Sequence, residues 1–181
     1  MMTDNKQEEG SKPPGNIRFE LEFYASVYEV YDALSKKNSI CAWLTKDVKV
    51  KGRSLSLSFG DGKYWANFGT FSKKRPSQAT VSWSCKSANM YGDPSPWNNT
   101  KMVFKLTLVT KDTTRLEFNQ EGLNAGMVGH EATEGFWAIL LGQYLSRYLF
   151  LKKEGIWPDH HALDWNSVFL TNSIPINLVD D

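Results

Sequence analysis

The sequence is poor in the features that mark specialised classes of protein. Cys41 and Cys85 are the only cysteines among 181 residues, too few for a disulfide framework, so we expect both to be reduced. The 21 Lys and Arg nearly balance the 20 Asp and Glu, and the net charge of +1 indicates no nucleic-acid partner. The basic run at residues 73–75 precedes a proline in a predicted turn, where solvation explains it. No apolar run is long enough to span a bilayer, so no membrane partner is predicted.

Catalytic and metal-binding motifs are also scarce. The three histidines include the adjacent pair His160 and His161, but no cysteine or third histidine stands at metal-ligand spacing. Two nearby aspartates leave an oxygen and nitrogen metal site as the weaker interpretation. Glu131 and Glu134 form an acid pair, although the first turn of a helix favours carboxylates without any catalysis. We predict no catalytic residue, no metal and no cofactor.

The composition divides the chain into three parts. Residues 1–15 are polar and carry no apolar signal segment, which predicts a disordered leader and a cytoplasmic protein. Residues 16–155 hold the regular apolar patterns and predict one globular domain. Residues 156–181 include Trp157, Trp165 and many aliphatic residues, which is too apolar for a free linker. We expect this C-terminal extension to dock on the domain or on a partner.

Alternating apolar and polar residues predict a sheet with one buried face. Segments that alternate in this way lie at residues 17–23, 54–59, 80–85, 102–109 and 115–119. A less regular strand at residues 64–71 follows the turn Gly60-Asp61-Gly62. The polar faces are rich in Ser, Thr and charged residues, which is typical of an antiparallel sheet that is wet on one side.

Two helical regions complete the pattern. Ser26 and Glu29 have the spacing of a capping box before an apolar stripe, and a further short turn is predicted at residues 40–44. Residues 130–153 carry two adjacent apolar rows, and Gly155 suits the position after the end of this long helix. The order of elements predicts an α+β helix-grip fold, in which a curved antiparallel sheet of six or seven strands wraps around a long C-terminal helix, with a short N-terminal helix pair.

Several sequence blocks resemble the START-like (SRPBCC) superfamily. Residues 25–34, ASVYEVYDAL, resemble its P-x-x-V-Y-x-A-L opening, and residues 42–44, AWL, with Gly52 and Phe59 resemble its next block. Ser82-Trp83 resembles the Thr-Trp pair that closes its fifth strand, and residues 114–123, TRLEFNQEGL, resemble its T-x-L-x-L-x-x-x-G-L strand. Gly135 and Trp137 resemble the Gly-Trp pair of its final helix, here with one residue between them. The set resembles the branch of the C-terminal domain of the heat-shock chaperone ATPase activator.

The resemblance implies a cavity between the sheet and the C-terminal helix, which family members use for apolar ligands. Candidates for its lining come from the inward faces of the predicted elements, together with one loop tryptophan and one strand glutamine. These residues are Trp43, Leu57, Phe59, Phe68, Trp83, Trp97, Phe104, Phe118, Gln120, Phe136, Leu140 and Tyr144. The same residue types also suit a filled core, and the sequence does not separate the two interpretations.

Two of these positions carry more specific expectations. Gln120 shares the apolar side of its strand with Leu116 and Phe118, so its amide either meets a polar group or a ligand, or reaches water at the strand end. Trp97 and Tyr91 belong to a Gly- and Pro-containing insertion that is either a lid over a ligand or a surface loop.

Three functional hypotheses follow. The first is non-catalytic binding of a small apolar molecule in the cavity. The second is a chaperone-associated or stress-linked protein-interaction module, which the branch resemblance and the apolar extension favour. The third and least favoured is an enzyme like the cyclases and aromatases that share the fold, because no positioned acid or base stands out.

Overall fold

The computed structural model describes residues 16–92, 94–123 and 126–156. The predicted leader, residues 1–15, and residues 157–181 of the predicted extension lie outside the described residues. The elements in chain order are β1 (Ile17–Phe23), α1 (Val27–Ser35), α2 (Lys37–Trp43), β2 (Asp47–Lys51), β3 (Ser54–Phe59), β4 (Tyr64–Lys74), β5 (Gln78–Asn89), β6 (Lys101–Thr110), β7 (Thr113–Glu121), α3 (His130–Ile139), a π-helical segment (Leu140–Leu145) and α4 (Ser146–Lys153). The predicted α+β class is confirmed.

The seven strands form one antiparallel sheet with the order β1-β7-β6-β5-β4-β3-β2. Because β1 and β2 are its two edges, the α1–α2 pair that connects them crosses the sheet, and α1 contacts β5, β6 and β7. The β4–β5 register shifts between Asn67 and Phe68, where Lys86 of β5 has no partner on β4, as at a β-bulge. On the outer face Lys105 and Glu117 pair across β6 and β7, 3.7 Å apart, while Phe104 and Phe118 on the inner face are buried. The predicted helix-grip arrangement is therefore present.

The N-terminal helices are fixed by local hydrogen bonds that the sequence predicts in part. The backbone N–H of Ser26 donates to Glu29 Oε2 at 2.7 Å, and the N–H of Glu29 donates to Ser26 Oγ at 3.2 Å, which is the expected capping box. The indole of Trp43 donates to the carbonyl oxygen of Ala33 at 2.7 Å. This bond ties the end of α2 to α1.

Two features of the sheet differ from the sequence pattern. The edge strand β2 is not among the predicted strands, although its sequence DVKVK alternates polar and apolar residues; Val48 is buried and Val50 is 45% exposed. Leu108 stands at an apolar position of the alternation but is 42% exposed, since the β6–β7 register shifts between Leu108 and Thr110. Val50 lies on an edge strand and Leu108 lies near the end of a strand. At such positions the burial of an apolar side chain depends on which other segments cover it, and apolar alternation does not record this.

The predicted helix over residues 130–153 is present but is not uniformly α-helical. The π-helical segment separates α3 from α4, and we call the three together the long helix. Its two predicted apolar rows are mostly buried, although Tyr144 in the π-helical segment is only half-buried, whereas Leu145 and Tyr148 are buried. The backbone φ of Gly155, just past the end, is 75°, as the predicted cap requires. Within the described ranges, no helix combines the length and apolarity that crossing a membrane requires.

Candidate functional site

An aromatic cluster lies between the sheet and the long helix. Trp83, Phe104 and Phe118 project from the adjacent strands β5, β6 and β7. The ring of Trp137 in α3 lies over them, with centroid distances of 6.5, 6.0 and 4.8 Å. All four side chains are at most 1% exposed. These distances are those of rings in direct contact, so side chains pack this part of the interior.

Further predicted residues extend the same cluster. Phe136 lies edge-on to Phe59 at 6.0 Å and to Trp137 at 5.4 Å. Phe68 of β4 lies 5.7 Å from Trp83. The structure therefore brings together predicted residues from five neighbouring strands, β3 to β7. We call this set, with Trp97 described next, the aromatic cluster.

Trp97 closes the aromatic cluster from the segment that was predicted as a lid or surface loop. Its ring stacks on Trp137 at 5.8 Å and 15°, and it is 1% exposed. The indole N–H donates to Thr133 Oγ1 at 2.9 Å, and Met90 in the same segment is fully buried. At these residues the segment is part of the core.

Tyr91 and Gly129 hold this segment against the start of the long helix. Tyr91 has a φ of 59° and lies edge-on to Phe136 at 6.2 Å. Gly129 has a φ of 88°, and a Cβ at this position would lie 2.9 Å from the Cβ of Tyr91, so glycine is required here. Burial raises the pKa of the Tyr91 phenol above its usual range, so the phenol stays neutral.

Gln120 is buried and fully engaged by protein partners. It is 0% exposed, its Oε1 accepts from the indole of Trp137 at 2.9 Å, and its Nε2 donates to Thr100 Oγ1 at 3.1 Å. Thr100 Oγ1 in turn donates to the carbonyl oxygen of Trp97 at 2.7 Å. Of the two sequence alternatives, the inward orientation is correct, and the polar groups that it meets belong to the protein itself.

The remaining predicted residues do not all share one location. Leu57 of β3 and Leu140 of the long helix are buried in the core. Trp43 is equally buried but serves the α1–α2 junction through its bond to Ala33. Tyr144 is half-buried at the core boundary.

A cleft of about 360 Å³ opens between α1–α2 and strands β3–β5. Its lining includes five buried apolar residues, Leu34, Ile40, Leu55, Val81 and Trp83. Polar groups of Ser35, Arg53, Thr70 and Ser72 also line it. Of the predicted site residues, Trp83 contributes to this lining. The volume lies within the range of small-molecule sites, which begins at about 300 Å³.

The titratable groups give little support for catalysis. Burial raises the pKa of the Cys85 thiol to about 12, and it also raises the pKa of the half-buried Cys41, so both free thiols stay protonated. Glu131 lies exposed in the first turn of α3. Over the described ranges, no three His, Cys, Asp or Glu residues group around a possible metal position. The pair at residues 160 and 161 lies outside the described residues.

The sequence interpretation missed the centre of the aromatic cluster. Trp137 was placed on the long helix but not nominated, although its position beside Phe136 on a wide apolar stripe was a usable signal. Thr100 and Thr133, which bond the buried polar groups, carry no sequence signal, because isolated threonines are common on surfaces.

No family model and no curated protein matches the sequence, but solved structures do. The Aha1 dimer from Colwellia psychrerythraea has a TM-score of 0.60 and 25% identity, over 74% of this chain and 95% of that chain. An uncharacterised protein from Bacillus thuringiensis has a TM-score of 0.60 and 15% identity, over 75% and 99% of the two chains. An HSP90 activator from Plasmodium falciparum has a TM-score of 0.52 and 11% identity, over 77% and 96%.

These likenesses extend over nearly the whole of each matched chain. They therefore concern a complete domain rather than a shared motif. The elements they match include the antiparallel sheet and the long helix that hold the aromatic cluster. The chain thus has the helix-grip fold found in the Aha1 dimer and in the Plasmodium HSP90 activator.

Proposed function

We propose that the protein is a non-catalytic interaction module that binds a chaperone of the HSP90 class. The observation that carries the proposal is the likeness to the Aha1 dimer, at 25% identity over 95% of that chain. The HSP90 activator from Plasmodium falciparum has the same fold and supports the same partner class. Fold alone does not specify function, so the partner has to be tested directly.

The packed interior favours a partner that binds at the surface over a ligand that binds inside the domain. The aromatic cluster consists of rings in mutual contact, and Gln120 has protein partners for both ends of its amide. A buried amide that lacked a partner would favour a ligand there, because an unsatisfied polar group costs about 1–3 kcal/mol. With Gln120 satisfied, the region under α3 provides no comparable argument for a ligand.

One surface with suitable residue types lies on the outer face of the sheet. A groove of about 380 Å³ runs along β3, where the small Ser56 and Ser58 lie between larger neighbours on β2 and β4. Lys49 is the cross-strand neighbour of Ser56 on one side, and Trp65, 37% exposed, is the neighbour of Ser58 on the other. Exposed tryptophan is a frequent contributor to protein interfaces.

Titration of the full chain with a purified HSP90-class chaperone tests the proposal. We expect a complex with a Kd of about 1–50 µM, with and without ATP, measured by calorimetry. Absence of heat and of co-sedimentation at about 100 µM would overturn the proposed partner.

Two variants then locate the contact. Trp65→Ser should weaken the complex about tenfold or more, because it removes an aromatic anchor. Phe150→Ser is the matched control, since Phe150 is an exposed aromatic residue on α4, 56% exposed, and it should leave the Kd unchanged. Binding that both variants retain equally would keep the partner and reject the groove along β3.

The cleft between α1–α2 and the sheet favours a second candidate function. A small apolar molecule fits its volume. The rim hydroxyls of Ser35 and Thr70 already donate to backbone carbonyl oxygens, so they can orient a ligand only as acceptors. Native mass spectrometry of the gently purified full chain should then reveal a constant mass adduct that organic extraction removes. A mass equal to that of the bare chain under native conditions would count against this function.

A further inference from the structure

The last residues of strand β4 have a free edge beside the cleft. The pairing of β4 with β3 ends at Gly69, and the N–H of Thr70 still donates to the carbonyl oxygen of Arg53, in the turn between β2 and β3, at 2.7 Å. Strand β4 continues to Lys74, and residues 71–75 are all exposed. The end of β4 therefore extends past its neighbour into solvent.

The hydrogen-bond alternation identifies which backbone groups face this free edge. In an antiparallel ladder, a residue directs both backbone groups to the same side, and the side alternates along the strand. Thr70 faces β3, and the N–H of Arg75 donates to the Gln78 carbonyl oxygen on the β5 side at 2.8 Å. Ser72 and Lys74 therefore direct their backbone groups away from β5. In the part of the chain that the structure describes, no strand pairs with them there.

Helix α1 holds this end of β4 in place. The hydroxyl of Tyr31 donates to Ser72 Oγ at 2.9 Å. The Nζ of Lys74 lies 4.4 Å from the ring centroid of Tyr28 and 5.2 Å from that of Tyr31. A strand edge that is fixed in this way loses little conformational entropy when another chain pairs with it.

The cleft provides an apolar pocket next to the free edge. Its floor consists of five buried apolar side chains, Leu34, Ile40, Leu55, Val81 and Trp83. Phe71 and Val50 at its rim are 58% and 45% exposed. An open strand edge beside a pocket matches the way an added strand binds, since the backbone supplies hydrogen bonds and alternate side chains enter pockets.

The surroundings of the cleft are strongly basic. The stretches 34–37, 50–53 and 70–75 supply or adjoin its lining, and together they contain seven Lys or Arg and no Asp or Glu. The whole chain, in contrast, is nearly balanced, with 21 basic and 20 acidic residues. Lys36 pairs with Asp32 at 3.0 Å, and the other six form no ion pair with any described carboxylate. A concentration of unpaired positive charge of this kind attracts an acidic partner.

We propose that this edge and cleft bind an extended acidic peptide segment of another protein by strand addition. The peptide backbone pairs with Ser72 and Lys74, one apolar side chain enters the cleft, and the carboxylates lie near Arg53 and Lys73. Phosphates of a nucleic acid or a membrane accept hydrogen bonds but donate none, so they would leave the carbonyl oxygens of Ser72 and Lys74 unpaired. The site lies at the opposite end of β4 from Trp65, so it does not depend on the proposed chaperone partner.

NMR titration of the full chain with a capped peptide of sequence EVEVE tests the proposal. We expect saturable shifts of the Ser72 and Lys74 amides, with a Kd of about 0.1–1 mM at low salt. The neutral peptide QVQVQ keeps the backbone and the valines but lacks the carboxylates, so it should bind about tenfold more weakly. No saturable shift of these two amides with EVEVE at up to about 5 mM would overturn the proposal.

N-methylated forms of EVEVE separate strand addition from simple attraction of charge. One form is methylated at the amides of both valines, and the other at the amides of the second and third glutamates. In a paired strand one set of amides faces β4 and the other faces solvent. One form should therefore bind like EVEVE, and the other should bind about tenfold or more weakly. Equal binding of both forms would show that the backbone does not pair and would overturn strand addition.

Charge reversal at single positions locates the contact. Arg53→Glu should weaken EVEVE binding about fivefold or more. Lys111→Glu is the matched control, because this exposed residue lies in the turn between β6 and β7 and the substitution changes the net charge equally; it should leave the Kd unchanged. Equal weakening in both variants would reject the proposed location.

Anionic vesicles distinguish the alternative partner. Vesicles of phosphatidylcholine with about one fifth phosphatidylserine should leave the Ser72 and Lys74 amides unshifted. If the vesicles shift these amides and EVEVE does not, the basic surface binds membranes and the peptide proposal is overturned.

Discussion

The amide of Gln120 joins three elements of the fold at one point. Its oxygen accepts from Trp137 in α3, and its nitrogen donates to Thr100, which precedes β6. Thr100 bonds onward to Trp97, so the buried loop tryptophan and the helix tryptophan are linked through a single side chain. These hydrogen bonds can form together only when the rings of Trp97 and Trp137 have their observed orientations. Gln120 therefore helps to fix the packing of the aromatic cluster.

Replacing Gln120 with Met tests this role. The side chain keeps a similar length but leaves the Trp137 N–H and the Thr100 hydroxyl without that partner, so we expect a loss of about 1–3 kcal/mol in unfolding free energy. Guanidinium denaturation measures the change. Gln143→Met, at an exposed position of the long helix, is the matched control and should shift stability by less than about 0.5 kcal/mol. An equally small effect at Gln120 would show that the hydrogen bonds do not stabilise the fold.

The hydrogen-bond partners of Gln120 could not be predicted from the sequence. Alternation along β7 left two possibilities for Gln120, an inward orientation or a strand end that reaches water, and in the structure the side chain points inward. Its partners come from other elements, and Thr100 and Trp137 are brought to it by the register of the sheet and by the phase of the long helix. A pattern within one strand contains no information about those positions.

At the scale of elements, the centre of the long helix is π-helical rather than α-helical. The π-helical segment Leu140–Leu145 keeps Leu140, Leu141 and Leu145 buried, so the apolar rows continue across it. Apolar spacing therefore predicted a continuous helix, since it records which residues are buried and not which backbone hydrogen bonds they make. The edge strand β2 was missed although its sequence DVKVK alternates polar and apolar residues.

Substitution by alanine should have opposite effects on stability at Gly129, which precedes the long helix, and at Gly142, which lies at its centre. Gly129→Ala places a Cβ 2.9 Å from that of Tyr91 at a φ of 88°, so we expect a loss of at least about 1–2 kcal/mol. Gly142→Ala meets no atom within 4 Å, and it should gain about 0.5–1 kcal/mol, because alanine loses less backbone entropy in a helix. Chemical denaturation of both variants measures the difference. A destabilising Gly142→Ala would mean that the π-helical segment itself requires glycine.

At the scale of the whole molecule, the helix-grip fold was predictable because most strands and the long helix each have one apolar face, and a single core buries all of these faces. The inward faces of the strands and the wide stripe of the long helix nominated residues that do meet, such as Phe59 with Phe136 and Phe68 with Trp83. The cleft was not predictable, because it depends on β4 extending past the start of β3. The relative ends of two neighbouring strands are set by turns and pairing, which apolar alternation does not record.

The packing of the whole interior makes a prediction about ligand dependence. A protein that needs a ligand to fill its core loses stability when the ligand is removed, by an amount that grows with ligand concentration over Kd. Here the aromatic cluster fills the space under α3 with its own rings, and Trp137 contacts Trp83, Phe104 and Phe118 directly. The full chain, unfolded in guanidinium, washed by gel filtration and refolded, should therefore melt within about 1–2 °C of the untreated protein. A drop of several degrees that the organic extract of the native protein restores would instead favour the apolar ligand as part of the folded molecule, and it would make the cleft beside α1 the first place to look for it.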